Sequence, residues 1–159
     1  MAVTNIQMSK LQTLVYELEM QIPKQESINP LVSSSSAGWH IEHSLLTIDS
    51  VVEALKRSEP ASYKWKFSFP KMLVFTINKI PRGRAQAPPI VQPKEIFSSE
   101  SLKAHAASTG QKLLDLEKLQ PNSFIKHPAF GPLKMKPALK FLAIHTQHHL
   151  NIIKDILKN

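Results

Sequence analysis

Apolar residues recur at intervals of three and four positions along most of this 159-residue chain. That spacing places them on one face of an α-helix, because successive helical residues advance by about 100°. Prolines stand between the periodic segments, where they end helices or begin them. The pattern predicts four long amphipathic helices and one shorter helix, at about residues 5–22, 38–58, 70–80, 99–120 and 137–157.

The predicted fold class is all-α: a four-helix bundle with long crossover connections and a short extra helix, forming a single domain over residues 1–159. Only 4 glycines are present, which argues against a hairpin-rich β fold because tight hairpin turns need positive φ. Serines between the first two helices offer N-caps. An irregular all-α domain is the alternative.

The chain contains no cysteine. A disulfide framework, a thiolate nucleophile and a thiolate metal site are therefore all excluded. The first residues carry no basic-then-apolar secretory signal, and no run approaches the length of a membrane span. We therefore expect a cytoplasmic protein without a membrane partner.

The formal charge of +8 is unevenly distributed. Between Pro60 and Lys103, eight Lys and Arg residues face two acids, Glu95 and Glu100, which gives 8 − 2 = +6 in that stretch. Such a patch can bind nucleic acid or phosphate, but it is more often a solvated face. No recognition motif is present, so any DNA binding should be weak, salt-dependent and without sequence preference.

Three of the seven histidines fall in the last predicted helix, in the sequence AIHTQHHLNII. His145 and His149 lie within its apolar arc, and His148 lies on the border of that arc. Two buried imidazoles side by side need partners, and they cannot both be charged cheaply. Neutral imidazoles at positions i and i+4 can share a divalent metal ion. We favour a metal site over two hydrogen-bonded core histidines.

A third ligand would have to come from another helix. The second helix opens with GWHIEHSLLTID, which contains His40 and His43. Periodicity does not decide between these two, and both also suit hydrogen bonding at a helix end. His105, at the apolar edge of the fourth helix, is predicted to be structural. His127, before a proline, is predicted to be a turn or lid residue.

The segments WHIEHSLLTIDSVV, PRGRAQAPPIVQP and HPAFGPLKMKPALKFLAIHTQHHLNII together resemble the DinB-like family of metalloenzymes over nearly the whole chain. The resemblance implies a four-helix bundle with a crossover. It also implies a divalent metal, zinc or nickel, held by one histidine of the second helix and by the outer pair of the His-x-x-His-His motif. That outer pair corresponds to His145 and His149.

One position departs from the commoner pattern of the family. The second-helix ligand usually comes about eight residues after the tryptophan, which from Trp39 is Thr47. His43 lies one turn earlier on nearly the same line. The expected metal ligands are therefore His43, His145 and His149, with His40 as the alternative to His43, unless the site is incomplete and the metal has been lost.

The resemblance implies a metal-dependent enzyme, for example a thiol S-transferase that uses a low-molecular-weight thiol. In that case His148 would be a pocket residue, and the basic segment 79–94 would meet an anionic thiol. The competing hypothesis is a non-enzymatic bundle that binds nucleic acid or protein through its basic face and keeps a vestigial site. The first hypothesis implies a small-molecule substrate; a homodimer stays open under both.

Overall fold

The chain is mostly helical in the computed structural model, which describes residues 2–83, 86–93, 97–120 and 122–158. The predicted helices are all present. The first and fourth α-helices end earlier than the sequence predicted, and a short 3₁₀ turn follows each of them. The helices are α1 (Ala2–Glu19), α2 (Ala37–Lys56), α3 (Phe69–Ile77), α4 (Ser99–Asp115) and α5 (Met135–Ile156). None of them, within the described residues, combines the length and apolarity that a membrane crossing needs.

Serine side chains cap the starts of α2 and α4, and for α2 the sequence predicted such a cap. The Ser36 hydroxyl accepts a hydrogen bond from the Trp39 amide at 3.2 Å. Ser98 and Ser101 form a reciprocal capping box at the start of α4. These bonds satisfy amides that have no partner within the helix. At α2 they fix the start of the helix, and its first two turns carry His40 and His43.

The four long helices pack in a square in which α1 and α2 each contact both α4 and α5. Pairs along the square set the helix directions. Glu42 and Lys56 of α2 meet His105 and Asp115 of α4, so these two helices are parallel. The start of α2 lies against the second half of α5, so these two are antiparallel. Because α2 and α4 run in the same direction, a short loop cannot join the end of α2 to the start of α4. Residues 57–98 make this long crossover connection.

The predicted apolar stripes form the core between these helices. Their side chains are excluded from solvent because each stripe faces the centre of the square. The fully or almost fully buried members include Leu11, Leu14, Leu18, Ile41, Leu45, Ile48, Val52, Leu55, Leu102, Leu113, Leu116, Leu139, Leu142, Leu150 and Ile153.

The structure contains a two-stranded antiparallel hairpin that the all-α prediction did not include. Strands β1 (Phe124–His127) and β2 (Gly131–Lys134) occupy the segment that the sequence presented as a plain connection. Gly131 takes a positive φ of 71° at the turn, which glycine adopts without strain. Each strand has four residues, and β2 contains Pro132, so no alternating pattern was long enough to predict them.

The short helix α3 lies on the surface of this core and shows its apolar stripe to solvent. Phe69, Met72, Leu73 and Ile77 follow helical spacing, and all are exposed, whereas Val74 is buried. The helix ends at Asn78, whose positive φ of 52° is the left-handed conformation common at helix ends. From there the chain runs past α5 in the segment that begins with Lys79.

Two helical glycines give opposite predictions for an added methyl group. A Cβ at Gly38 would collide with a Phe97 ring carbon and would lie 3.0 Å from the Gln25 carbonyl oxygen. We expect Gly38→Ala to lower the free energy of unfolding by about 1–3 kcal/mol, as overpacking does. A Cβ at Gly110 meets nothing, so Gly110→Ala should raise it by about 0.5–1 kcal/mol through helix propensity.

Urea unfolding followed by circular dichroism measures both changes. Equal effects of the two alanines would contradict the close packing of α2 against the residues that precede α4.

Candidate metal centre

The antiparallel packing of α2 against α5 brings three predicted ligands together. One nitrogen from each of His43, His145 and His149 lies within 4.8 Å of the others. His43 and His149 are buried, and His145 keeps partial exposure. The face assignment made for α5 therefore agrees with the structure: its two inward histidines, one turn apart, meet a histidine of α2.

The tautomer of His43 follows from its contact with the crossover segment. Its Nδ1 lies 2.7 Å from the backbone carbonyl oxygen of Val91, which can only accept a hydrogen bond. Nδ1 therefore carries the proton and donates it, and Nε2 keeps a free lone pair. The Trp39 ring stacks on the imidazole with centroids 4.9 Å apart and limits its rotation.

The lone pair of His43 points at a second imidazole nitrogen. His43 Nε2 and His145 Nε2 are 3.2 Å apart, so either one proton or one cation must lie between them. Two nitrogens on a tetrahedral zinc ion with ordinary bond lengths stand about 3.3–3.4 Å apart. The buried Nδ1 of His145 has no hydrogen-bond partner among the described residues. This donor set suits a divalent metal such as zinc.

His40 contacts His149 instead of joining the group of three. Its Nδ1 lies 2.9 Å from His149 Nδ1, and its Nε2 lies 2.9 Å from the Ser33 hydroxyl oxygen. If His149 binds through Nε2, its Nδ1–H donates to His40, and His40 then donates to Ser33. Partners of this kind fix the tautomer and the orientation of a ligand.

Burial keeps these imidazoles neutral. It lowers the pKa of His40 to about 4, with a further contribution from the neighbouring His43. It also lowers the pKa values of His145 and His149 well below the ordinary value, again reinforced by neighbouring imidazoles. Burial lowers the pKa of His43 too, against the opposing effect of its bond to Val91. Neutral imidazole is the form that binds metal, so the site does not have to release protons at neutral pH.

Thr47, at the position where a ligand is expected in the family pattern, does not join the group. Its side chain is buried, and its hydroxyl donates to the backbone carbonyl of His43 at 2.8 Å. Thr47 therefore bonds within its own helix, and His43 one turn earlier supplies the imidazole from α2. Of the two histidines that periodicity could not separate, His43 lies in the group and His40 lies behind it.

Two further histidines, His148 and His127, lie around the group of three. His148 is partly buried, and its ring centroid is 5.1 Å from that of His149. His127 lies in β1 and not in a free loop. Its Nδ1 accepts hydrogen bonds from the amides of Ala129 and Phe130, and burial lowers its pKa to about 4. His127 therefore stabilises the hairpin turn, which agrees with the first of the two roles predicted for it, a turn residue or a lid residue.

His105 lies away from the metal candidates, in a charged network between α2 and α4. Its ring nitrogens contact Glu42 at 2.9 Å and Asp49 at 3.4 Å. Thr109 and Lys112 also bind Asp49. The hydrogen bonds to Asp49 and Glu42 raise the pKa of His105 to about 9. These contacts agree with the structural role predicted for it.

A hollow of about 220 Å³ opens beside His148, and sequence analysis gave no sign of its shape. Two cations of the predicted basic segment, Lys79 and Arg82, line it together with side chains of α5. Arg84 and Lys94 of that segment lie outside the described residues. Val91 was also missed as a functional residue, because a backbone acceptor leaves no trace in the sequence.

No protein family model, curated protein or solved structure matches this chain. The family resemblance therefore remains a prediction, and the case for a function rests on the residues of this chain.

The raised pKa of His105 predicts how stability depends on pH. A pKa raised above its ordinary value of 6.5 gives stabilisation that is complete below that value and is lost as the pH rises through about 9. His105→Gln should therefore destabilise the protein most near about pH 6, and the difference from the unsubstituted protein should shrink towards about pH 10. Urea unfolding at both pH values measures it. A difference that is constant with pH would show that His105 acts without its charge.

Proposed function

We propose that this chain is a divalent-metal enzyme of the DinB-like type, built on a four-helix bundle with a crossover. The observation that carries the proposal is the group of three imidazole nitrogens within 4.8 Å of one another, on antiparallel helices. The square packing of the four long helices, with one parallel neighbour pair joined by a long connection, supports the bundle.

The number of ligands favours catalysis over structure. Structural zinc sites are closed by four protein ligands, whereas three leave a position open. A zinc or nickel ion held here would lower the pKa of a thiol or of water at that position. The core is already continuous without an ion, so a purely structural metal would add little to this fold.

The residues around the group have roles that fit such an enzyme. The Val91 carbonyl holds His43 in the tautomer protonated on Nδ1, and the pair formed by Ser33 and His40 can hold His149 in that same tautomer. Trp39 covers one face of His43. Because the chain has no cysteine, a thiol nucleophile would be a small molecule, and a thiol S-transferase is the reaction we favour.

Single substitutions test the ligand assignment. His43→Ala, His145→Ala and His149→Ala should each reduce zinc content from about one ion per chain to a small fraction, because two imidazoles hold the ion poorly. His148→Ala is the matched control and should retain most of the metal. Elemental analysis of protein purified without a His-tag measures the content.

His40→Ala separates ligands from their support. We expect it to weaken zinc affinity by about 10–100-fold while a site of measurable affinity remains, which is typical of residues that orient a ligand. Equal losses for His40, His43 and His148 would contradict the assignment. If the unsubstituted protein binds no metal, the histidines are core residues and the enzyme proposal fails.

Cobalt-substituted protein tests the reaction class. A small thiol should add a thiolate-to-metal absorption band, because the charge of the ion favours the deprotonated thiol. The band should weaken as the pH falls and protons compete for both thiol and imidazoles, and it should be absent in His149→Ala. Metal binding without a band for any thiol would instead favour metal-activated water.

A further inference from the structure

The hollow beside His148 lies between the segment that follows α3 and the outer side of α5. Its cations, Lys79 and Arg82, come from the segment, and three amides, Asn78, Gln147 and Asn151, add donors and acceptors. Among the described residues, none that lines it is acidic. A site with two cations and convergent amides is chemically suited to a carboxylate or a phosphate.

A second hollow continues the first towards α1. Its volume is about 370 Å³, and both hollows are lined by Asn78, Ile144 and Gln147. Lys10 and Lys140 line the second one, and the part of its lining that the structure describes contains no acidic residue. Together they form a groove of the size that small-molecule sites commonly have. The ligand would be an elongated polar molecule and not a single inorganic ion.

One carboxylate already holds the Arg82 side chain in place beside the groove. Its Nη2 donates to Asp155 Oδ2 at 2.7 Å, yet the side chain is still 46% exposed. A guanidinium has five N–H donors, so this single bond leaves donors for a ligand. Lys79 is exposed, and no described carboxylate lies within ion-pair distance of it. Both cations are therefore available without breaking an existing bond.

His148 connects the groove to the candidate metal centre. It lines the groove, and its ring lies edge-on to the ring of His149, with centroids 5.1 Å apart. A ligand anchored on Lys79 and Arg82 would therefore have only one imidazole between its anchored end and the group of three. The border position of His148 on α5 gives it contact with both sides.

We propose that this groove binds the anionic end of the substrate, a carboxylate or a phosphate on a small polar molecule, and directs the other end to the metal centre. Lys79 and Arg82 contact the anion, and His148 positions the chain that leads from it. This inference rests on the proposed function for the word substrate, but the anion site itself can be tested without metal.

The test is isothermal titration of metal-free protein with inorganic phosphate and, separately, with succinate. The Lys79→Gln/Arg82→Gln double variant should bind the preferred anion at least about ten-fold more weakly, because it loses both charge-assisted contacts to the anion. Preference for phosphate or for succinate identifies the anion class. Arg82→Lys, which keeps the charge, should retain part of the binding.

Lys158→Gln is the matched control. Lys158 also pairs with Asp155, at 2.8 Å, but it does not line the groove. Lys158→Gln therefore removes one positive charge and a bond to the same carboxylate, as the Arg82→Gln half of the double variant does, without touching the proposed anchor. Equal weakening by Lys158→Gln, or unchanged binding in the double variant, would overturn the proposal.

Zinc content separates the two proposals. The double variant should keep its zinc, because neither Lys79 nor Arg82 is among the three grouped histidines. Anion binding in a protein that holds no zinc would sink the proposed function and leave an anion site. Zinc binding with no anion binding would do the opposite. Loss of zinc in the double variant would show that the cations support the metal centre and do not anchor a ligand.

Discussion

The contact between α2 and α5 buries three imidazoles and partly buries a fourth, and their polar nitrogens need partners in the protein. The free-energy cost of leaving a polar group unpaired in a protein core is about as large as the free energy of one hydrogen bond in an apolar medium. Ser33, the Val91 carbonyl and the other imidazoles supply most of the partners. The crossover must therefore return to the start of α2, because only there can Val91 reach His43.

The features that local geometry determines could be predicted from the sequence. The 100° advance of a helix places His145 and His149 on one face, and the stripes of α1, α2 and α4 are buried as their spacing indicates. Helix periodicity alone could not choose between His40 and His43, and only the family resemblance favoured His43, since each meets a partner more than a hundred positions away, at separations of 109 and 102. Only the register of α2 against α5 decides it.

What the sequence did not reveal depends on contacts between distant parts of the chain. The hairpin over 124–134 is short, and its strands pair only with each other, so its few residues carry no periodic signal. The groove needs the segment after α3 to lie along α5, a placement that follows from Lys140 of α5 donating to the Phe75 carbonyl at 2.8 Å. The sequence shows that this segment contains basic residues, but it does not show that their side chains line the same groove.

The separation of 102 positions between His43 and His145 also bears on when the centre can form during folding. Contacts between distant residues form late, because the chain must first give up the entropy of a long loop. In a zinc finger the ion supplies the folding free energy and the chain is unfolded without it. Here a continuous apolar core links the helices independently of the imidazoles. If the group binds a metal as proposed, we therefore expect the ion to enter a chain that is already folded, which makes loading a question of access to the finished protein and of exchange between cellular metal pools.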